Sequence, residues 1–516
     1  MKKWLGLSIG FSFAAAFVCL TPAAAQRAAI GNWTSPRNNM EHTGWQKAEA
    51  TMTKENLSGK FKFLWKIKLG DAAGKDSLSY SEPLLVPRLI NARGFKDFAL
   101  WADGNTLYAV DSELGTMLWT KHFDVAPSPC GSSDLSIVAE APLVINFRAR
   151  RVPGAPPPKP QPPMKPSERR VGISPGGGGF GLKGIFVLTP DGKLHEEVIA
   201  TGADFAPAVT FLPGATGVPL GLGLDGKTMF TATKAGCGDA KNAVWAVNMD
   251  SPQYPVGSYE TGSVAPLVAM GPTIVSNTAY VVTGSGSAAQ SGDVHADSIV
   301  ALGVDAKVKD WYTAGGSLQN VTPVAFSHNG KNLLATPGKD GSYVLLDASS
   351  LGGADHKTAL AETPSISQAK EGSVAALASW EDAGTTWVLA SVPGPLNSSA
   401  KFATSNGAAS HGSIVAFNLE ESAGKTNLVP AWSSRDMINP APPVAANGMI
   451  VALDQGDASH HATLYVLDGA TGKELYSSGD AVNTYAHMAG VSVGDGHAFF
   501  VTHDHTLYSF GIGIEH

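Results

Sequence analysis

The sequence predicts an all-β chain folded as an eight-bladed β-propeller of four-stranded antiparallel blades. Three observations carry this. An apolar tetrad ending in a turn residue recurs eight times, at Leu107–Asp111, Ile185–Thr189, Val244–Asn248, Ile299–Gly303, Tyr343–Asp347, Ile414–Asn418, Leu464–Asp468 and Leu507–Gly511. The starts are 43 to 78 residues apart, the interval of a propeller blade rather than of a helical solenoid. An unmatched strand stands at each end of the repeat array: Phe61–Gly70 has no blade before it, and Leu507–Gly511 has no fourth strand after it.

The repeat is clearest at Leu464–Gly479, LYVLDGATGKELYSSG. A strand runs into Asp468, reverses through Gly469–Gly472, and returns with Tyr476. Asp111, Gly115 and Trp119 reproduce the spacing of Asp468, Gly472 and Tyr476. Glycine supplies the positive φ of such a turn, and the Asp carboxylate accepts its N–H groups. One such hairpin cannot bury its own apolar face, so it has meaning only as one unit among several.

Taken in order, residues 1–25 read as a secretory signal. Lys2 and Lys3 precede the apolar run Trp4–Leu20, and Ala23–Ala25 before Gln26 suit cleavage. This places the mature chain in a bacterial periplasm or outside the cell, with no transmembrane anchor after cleavage. Cys19 is the candidate lipidation site of the leader, and Val18 before it departs from the small residue that such processing needs.

Residues 26–60 form an extended polar lead-in. Phe61–Leu69 is expected to complete the blade made by residues 487–512, closing the ring and removing its exposed edge. Residues 61–516 are then one propeller. Blade 1 is expected at Pro83–Val86, Phe98–Ala102, Leu107–Val110 and Met117–His122. Blade 4 is expected at Ala265–Ala269, Thr278–Val282, Ile299–Leu302 and Lys309–Thr313. Trp119, Trp311 and Trp432 follow their tetrads and are expected to pack between blades. Residues 148–183 hold eight Lys/Arg, one Glu and nine Pro, a composition that cannot bury a core. They are read as an insertion in the B–C connection of blade 2, either a tolerated surface loop or a basic arm for an acidic partner.

Only 16% of the chain is charged, and its net charge of −7 lacks the basic footprint of non-specific nucleic-acid binding. Cys130 and Cys237 remain after cleavage, and two cysteines in an exported chain suggest one disulfide stapling neighbouring blades; metal or redox chemistry is the other reading. Haem-attachment, P-loop, nucleophile-elbow and calcium-loop motifs are absent from the sequence.

Function is expected in the longer B–C connections of blades 2, 3, 4, 6 and 7, since long loops on a rigid scaffold carry function. Histidines gather there: His295, His411, His460 and His461, with His487 at the start of blade 8 and His503 and His505 in its turn. Imidazoles converging on the axis could ligate zinc, copper or iron or work as acid and base. His411, His461 and His487 are the candidate metal set. His356 falls on a C–D turn, on the opposite face, and is left out.

LYAVDSELGTMLW and LYVLDGATGKELY resemble the repeat of pyrroloquinoline quinone (PQQ)-like β-propellers. The lead-in NWTSPRNNMEHTGW with MTKENLSG and FLWKIKLG resembles the mature N-terminus of secreted bacterial members. The resemblance implies two kinds of function. Quinoprotein alcohol dehydrogenases are oxidoreductases that bind PQQ and calcium at the propeller axis, often beside a disulfide of adjacent cysteines; this chain has no adjacent pair. The outer-membrane assembly scaffold BamB is a cofactor-free eight-bladed lipoprotein. The reading taken here is an exported propeller with a face of long B–C loops that binds a small molecule or an envelope protein. The alternatives are a quinoprotein-type oxidoreductase and a metal-dependent enzyme using the histidines.

Overall fold

The computed structural model describes residues 31–513 except 71–80, 92–93, 126–134, 140–183, 214–219, 237, 269, 287–293, 317, 368–375 and 423. The signal segment, Cys19, Cys130, Cys237 and the basic insertion all lie outside the described residues.

Eight sheets, each of four antiparallel strands at its centre, follow one another along the chain. In each blade, strand A faces the ring axis and strand D the rim. Antiparallel order places the A–B and C–D turns on one face, and the B–C and D–A connections on the other. The repeat tetrads are strand C in blades 1 and 3–8. In blade 7, for example, Met449–Asp454 is strand B, Thr463–Asp468 strand C and Glu474–Ser477 strand D. Strand C is apolar on both faces because each face meets a different neighbour. Leu464 and Val466 join the core shared with blades 8 and 1, while Tyr465 and Leu467 pack with Trp380 and Trp432 of blade 6.

Phe61–Lys68 pairs antiparallel with Thr506–Ile512, from Phe61 opposite Ile512 to Lys68 opposite Thr506. The first strand thus completes the last blade, as the unmatched ends require.

The repeat signature has a packing cause. Asp468 accepts the N–H groups of Ala470 (3.1 Å) and Thr471 (2.9 Å), holding the C–D turn. Gly472 takes φ +70°, and a Cβ there would lie 2.3 Å from the Trp432 ring of the preceding blade. The Trp432 indole N–H donates to the Gly469 carbonyl at 2.9 Å. The same relation joins Trp65 to Gly115 and Trp119 to Gly202. Strand-D tryptophan and turn glycine are therefore two halves of one blade-to-blade contact.

Three expectations are corrected. The inner strand of blade 4 is Thr273–Val275, and of the expected Ala265–Ala269 only a bridge of Pro266 to Thr283 meets strand B. In blade 2 the tetrad strand Gly184–Leu188 pairs with Ser136–Ala139 on one side and Lys193–Val198 on the other, which makes it strand B. In chain order the insertion therefore falls between strands A and B, not in the B–C connection. Consequently the B–C connection of blade 2 is the tight turn Thr189–Gly192, and the long ones belong to blades 3, 4, 6 and 7. An apolar tetrad followed by Asp-Gly suits any hairpin, and only the strand partners decide which.

Candidate functional site

Residues 33–46 run inside the ring, against the inner edge of strand A in every blade. Trp33 and Leu85 exchange N–H···O bonds of 2.9 and 2.8 Å in blade 1, and Ala139 of blade 2 donates to Thr34 O at 2.8 Å. Leu224 N–H of blade 3 points at Met40 Sδ (3.1 Å). Ile274, Ala325, Ser379 and Ala445 of blades 4 to 7 donate to Met40, Glu41, Thr43 and Gly44 carbonyls at 2.8–2.9 Å. The Gln46 amide reaches Val493 O of blade 8 at 2.9 Å. Trp45–Gln46 also pairs parallel with Ala445–Ala446.

Local chemistry bends the segment round the axis. Arg37, Asn38 and His42 all have positive φ, and the Asn39 side chain accepts the Thr43 N–H at 2.9 Å. Such conformations are uncommon outside glycine, with Asn and His among those that tolerate them best. At the centre, Glu82 accepts the Trp33 indole N–H at 2.8 Å and also the Arg37 backbone N–H. The Arg37 guanidinium lies 3.9 Å from Glu82 and donates to the carbonyls of Pro442 and Pro443. Trp33 and Arg37 are fully buried. The His42 imidazole is pushed down to about 4, chiefly by burial, so it is neutral at ordinary pH.

The face carrying the B–C and D–A connections presents histidines paired with carboxylates. In blade 6, His411 Nδ1 meets Asp436 Oδ2 at 2.7 Å, and Asp436 also accepts the N–H groups of Ser410 (2.7 Å) and His411 (2.8 Å). Burial opposes the Asp436 charge, but these donors hold its carboxyl far below the usual range. The Asp436 bond in turn raises the His411 imidazole. In blade 7, His460 Nδ1 lies 2.8 Å from Asp457, and His461 Nε2 lies 3.2 Å from Asp480. His411 and His460 are exposed, and so is His487, which lies ahead of strand A of blade 8.

His411 and His461 of the candidate metal set each meet a carboxylate of their own, Asp436 and Asp480. Among the described residues no group of three or more His, Cys, Asp or Glu side chains is placed to hold a metal. His505 is buried against Asp103 (2.7 Å), and His503 stacks on Tyr485 with ring centroids 4.4 Å apart. His356 lies in the C–D connection of blade 5, as expected, and stacks on Trp311 at 3.8 Å.

Sequence reasoning missed Trp33, Arg37 and Glu82. The available signal was the pair of tryptophans, Trp33 and Trp45, and the many turn-forming residues in an otherwise polar lead-in.

No family model matches the chain, and no curated protein does. Solved structures match over nearly its full length. Quinohemoprotein alcohol dehydrogenase ADHIIG of Pseudomonas putida HK5 superposes with a TM-score of 0.57 at 11% identity, covering 94% of this chain and 81% of that one. The quinohemoprotein alcohol dehydrogenase of Comamonas testosteroni gives 0.54 at 13% identity, covering 95% and 82%. A europium-containing methanol dehydrogenase gives 0.53 at 11%, covering 93% and 98%. At these identities the likeness is one of fold.

The resemblance implies PQQ with calcium on the axis. Calcium takes about six to eight oxygen ligands. Two buried carboxylates here are already committed: Glu82 to Trp33 and Arg37, and Glu49 to the N–H groups of Thr51, Met52 and Gly496. The space between the inner strands holds Trp33, Arg37 and His42. The described axial residues do not fit PQQ with calcium. The chain is an eight-bladed β-propeller with a fold similar to that of the quinoprotein dehydrogenases, and its axis is filled by its own N-terminal segment.

Proposed function

We propose that this chain is an exported propeller that binds a small molecule or an envelope protein on the face of its B–C and D–A connections. One observation carries the reading. The long connections of two adjacent blades display His411–Asp436, His460–Asp457 and His461–Asp480 as accessible imidazole–carboxylate pairs on a rigid frame. Each pair combines a carboxylate acceptor with an imidazole ring at the surface. Such a face suits a ligand rich in hydrogen-bond donors or a cationic protein surface. The signal-like residues 1–25 support export to the periplasm or beyond.

Site-specific photo-crosslinking in the native host tests this. A crosslinker at Asp457 is expected to give a discrete adduct, while one at Val304, on the opposite face, gives none. Equal adducts from both positions, or none from Asp457, would overturn the reading. Intact-mass measurement of the envelope protein is expected to give a chain beginning at Gln26. Dye reduction with alcohols after PQQ and calcium addition would favour the quinoprotein reading instead.

A further inference from the structure

The inward edge of each strand A is a row of backbone donors and acceptors, and such a sheet edge is a template for another extended chain. In this protein one segment, residues 33–46, pairs with that edge in blade after blade. Six inner strands donate a backbone N–H to its carbonyls: those of Leu85, Ala139, Ile274, Ala325, Ser379 and Ala445. Main-chain pairing of this kind gives affinity with little demand on sequence, and a few side-chain anchors add specificity. The anchors here are the Trp33 indole on Glu82 and the Arg37 guanidinium on Glu82, Pro442 and Pro443.

The fit of this segment is incomplete. Ser35 Oγ and Arg37 Nε are buried with no hydrogen-bond partner among the described residues. A buried polar group left unpaired weakens the contact it sits in. The segment is also connected to the ring through exposed residues, Lys47, Ala50 and Thr51. It is thus a peptide laid into a channel, attached at its C-terminal end by an accessible link.

We infer that the axial channel is a binding site for an extended segment of a separate polypeptide, one carrying an aromatic residue followed four positions later by arginine, with residues 33–46 occupying it in cis as a tethered competitor. Tethering gives the cis segment an effective concentration in the millimolar range, so a free partner enters only when it pairs better or when the cis segment is weakened. The channel is separate from the B–C face, and either can fail without the other.

The test uses the full chain and a fluorescent synthetic peptide of residues 31–48. Fluorescence anisotropy is expected to show no binding of micromolar peptide to the wild type. The Arg37→Glu full chain is expected to bind it at least about tenfold more tightly, and not to bind the peptide carrying the same substitution. A variant with wild-type circular dichroism that fails to bind, or that binds both peptides equally, overturns the inference. If Arg37→Glu does not fold, a protease site inserted between Ala50 and Thr51 replaces it. After cleavage of the folded chain, excess labelled peptide is expected to displace the cis fragment on size exclusion. Retention of the fragment without exchange, or loss of the ring as the fragment leaves, overturns the inference.

Discussion

The guanidinium of Arg37 stands 3.9 Å from the carboxylate of Glu82 on the ring axis, with the two side chains 0% and 1% exposed. Removing one member of a buried pair leaves the other charge uncompensated, which typically costs about 3–5 kcal/mol. Glu82→Ala is therefore expected to destabilise the ring by that amount in chemical denaturation. Replacing the pair together, as Arg37→Met with Glu82→Leu, is expected to restore most of the loss. A double variant no better than Glu82→Ala would show that the pair is not what Glu82 supplies.

Gly472 makes room for Trp432. Alanine at position 472 places a Cβ 2.3 Å from that ring at φ +70°. Backbone strain of about 1–2 kcal/mol and overpacking of about 1–3 kcal/mol act together there. Gly424→Ala is the control, since it shares the positive φ (+74°) but has open space around its Cβ. The melting temperature is expected to fall distinctly further for Gly472→Ala, with a change in tryptophan emission that Gly424→Ala lacks.

The seam between blades 8 and 1 carries a pH dependence. Glu113 there is pushed up to about 7, by burial first and then by Asp97, Asp495 and Asp111. Asp495 is raised as well, and Lys96 pairs with Asp111 at 2.7 Å. A carboxyl whose folded value exceeds its ordinary 4.5 stabilises the fold by holding its proton. That contribution is complete below the ordinary value and is lost as pH rises through about 7. His497, lowered by burial, contributes the opposite slope near its ordinary value. Denaturation midpoints from pH 4.5 to 7.5 are expected to fall less with rising pH in Glu113→Gln than in the wild type. Parallel curves would assign the slope to other groups.

His411 owes its raised imidazole to Asp436. Asp436→Asn keeps a hydrogen-bond acceptor but removes the charge. The His411 ring titration followed by NMR is expected to move to lower pH in that variant. An unchanged midpoint would mean that the exposed pair does not persist in solution.

The propeller was legible in the sequence because its cause is local and repeated. Each strand C must be apolar on both faces to fill two interfaces, and the C–D turns of blades 1 and 7 place an Asp and a Gly at the same spacing. Ring closure was legible for the same reason, since the half-blade at Phe61–Leu69 and the half-blade ending near Gly511 require each other. Strand identity in blade 2 was not, because a hairpin pattern is the same for strands B and C. The histidines of the long connections were visible as residue types, but the pairing of His411 with Asp436 and of His461 with Asp480 depends on how separate connections fold back. The axial segment was hidden altogether. Trp33, Arg37 and Glu82 gain their roles only when eight inner strands surround them, and Arg37 meets Pro443 across 406 positions of chain. Composition made the lead-in polar and therefore apparently solvated. Closing the ring left inner-edge N–H groups that had to be satisfied, and the tertiary structure satisfied them with that segment.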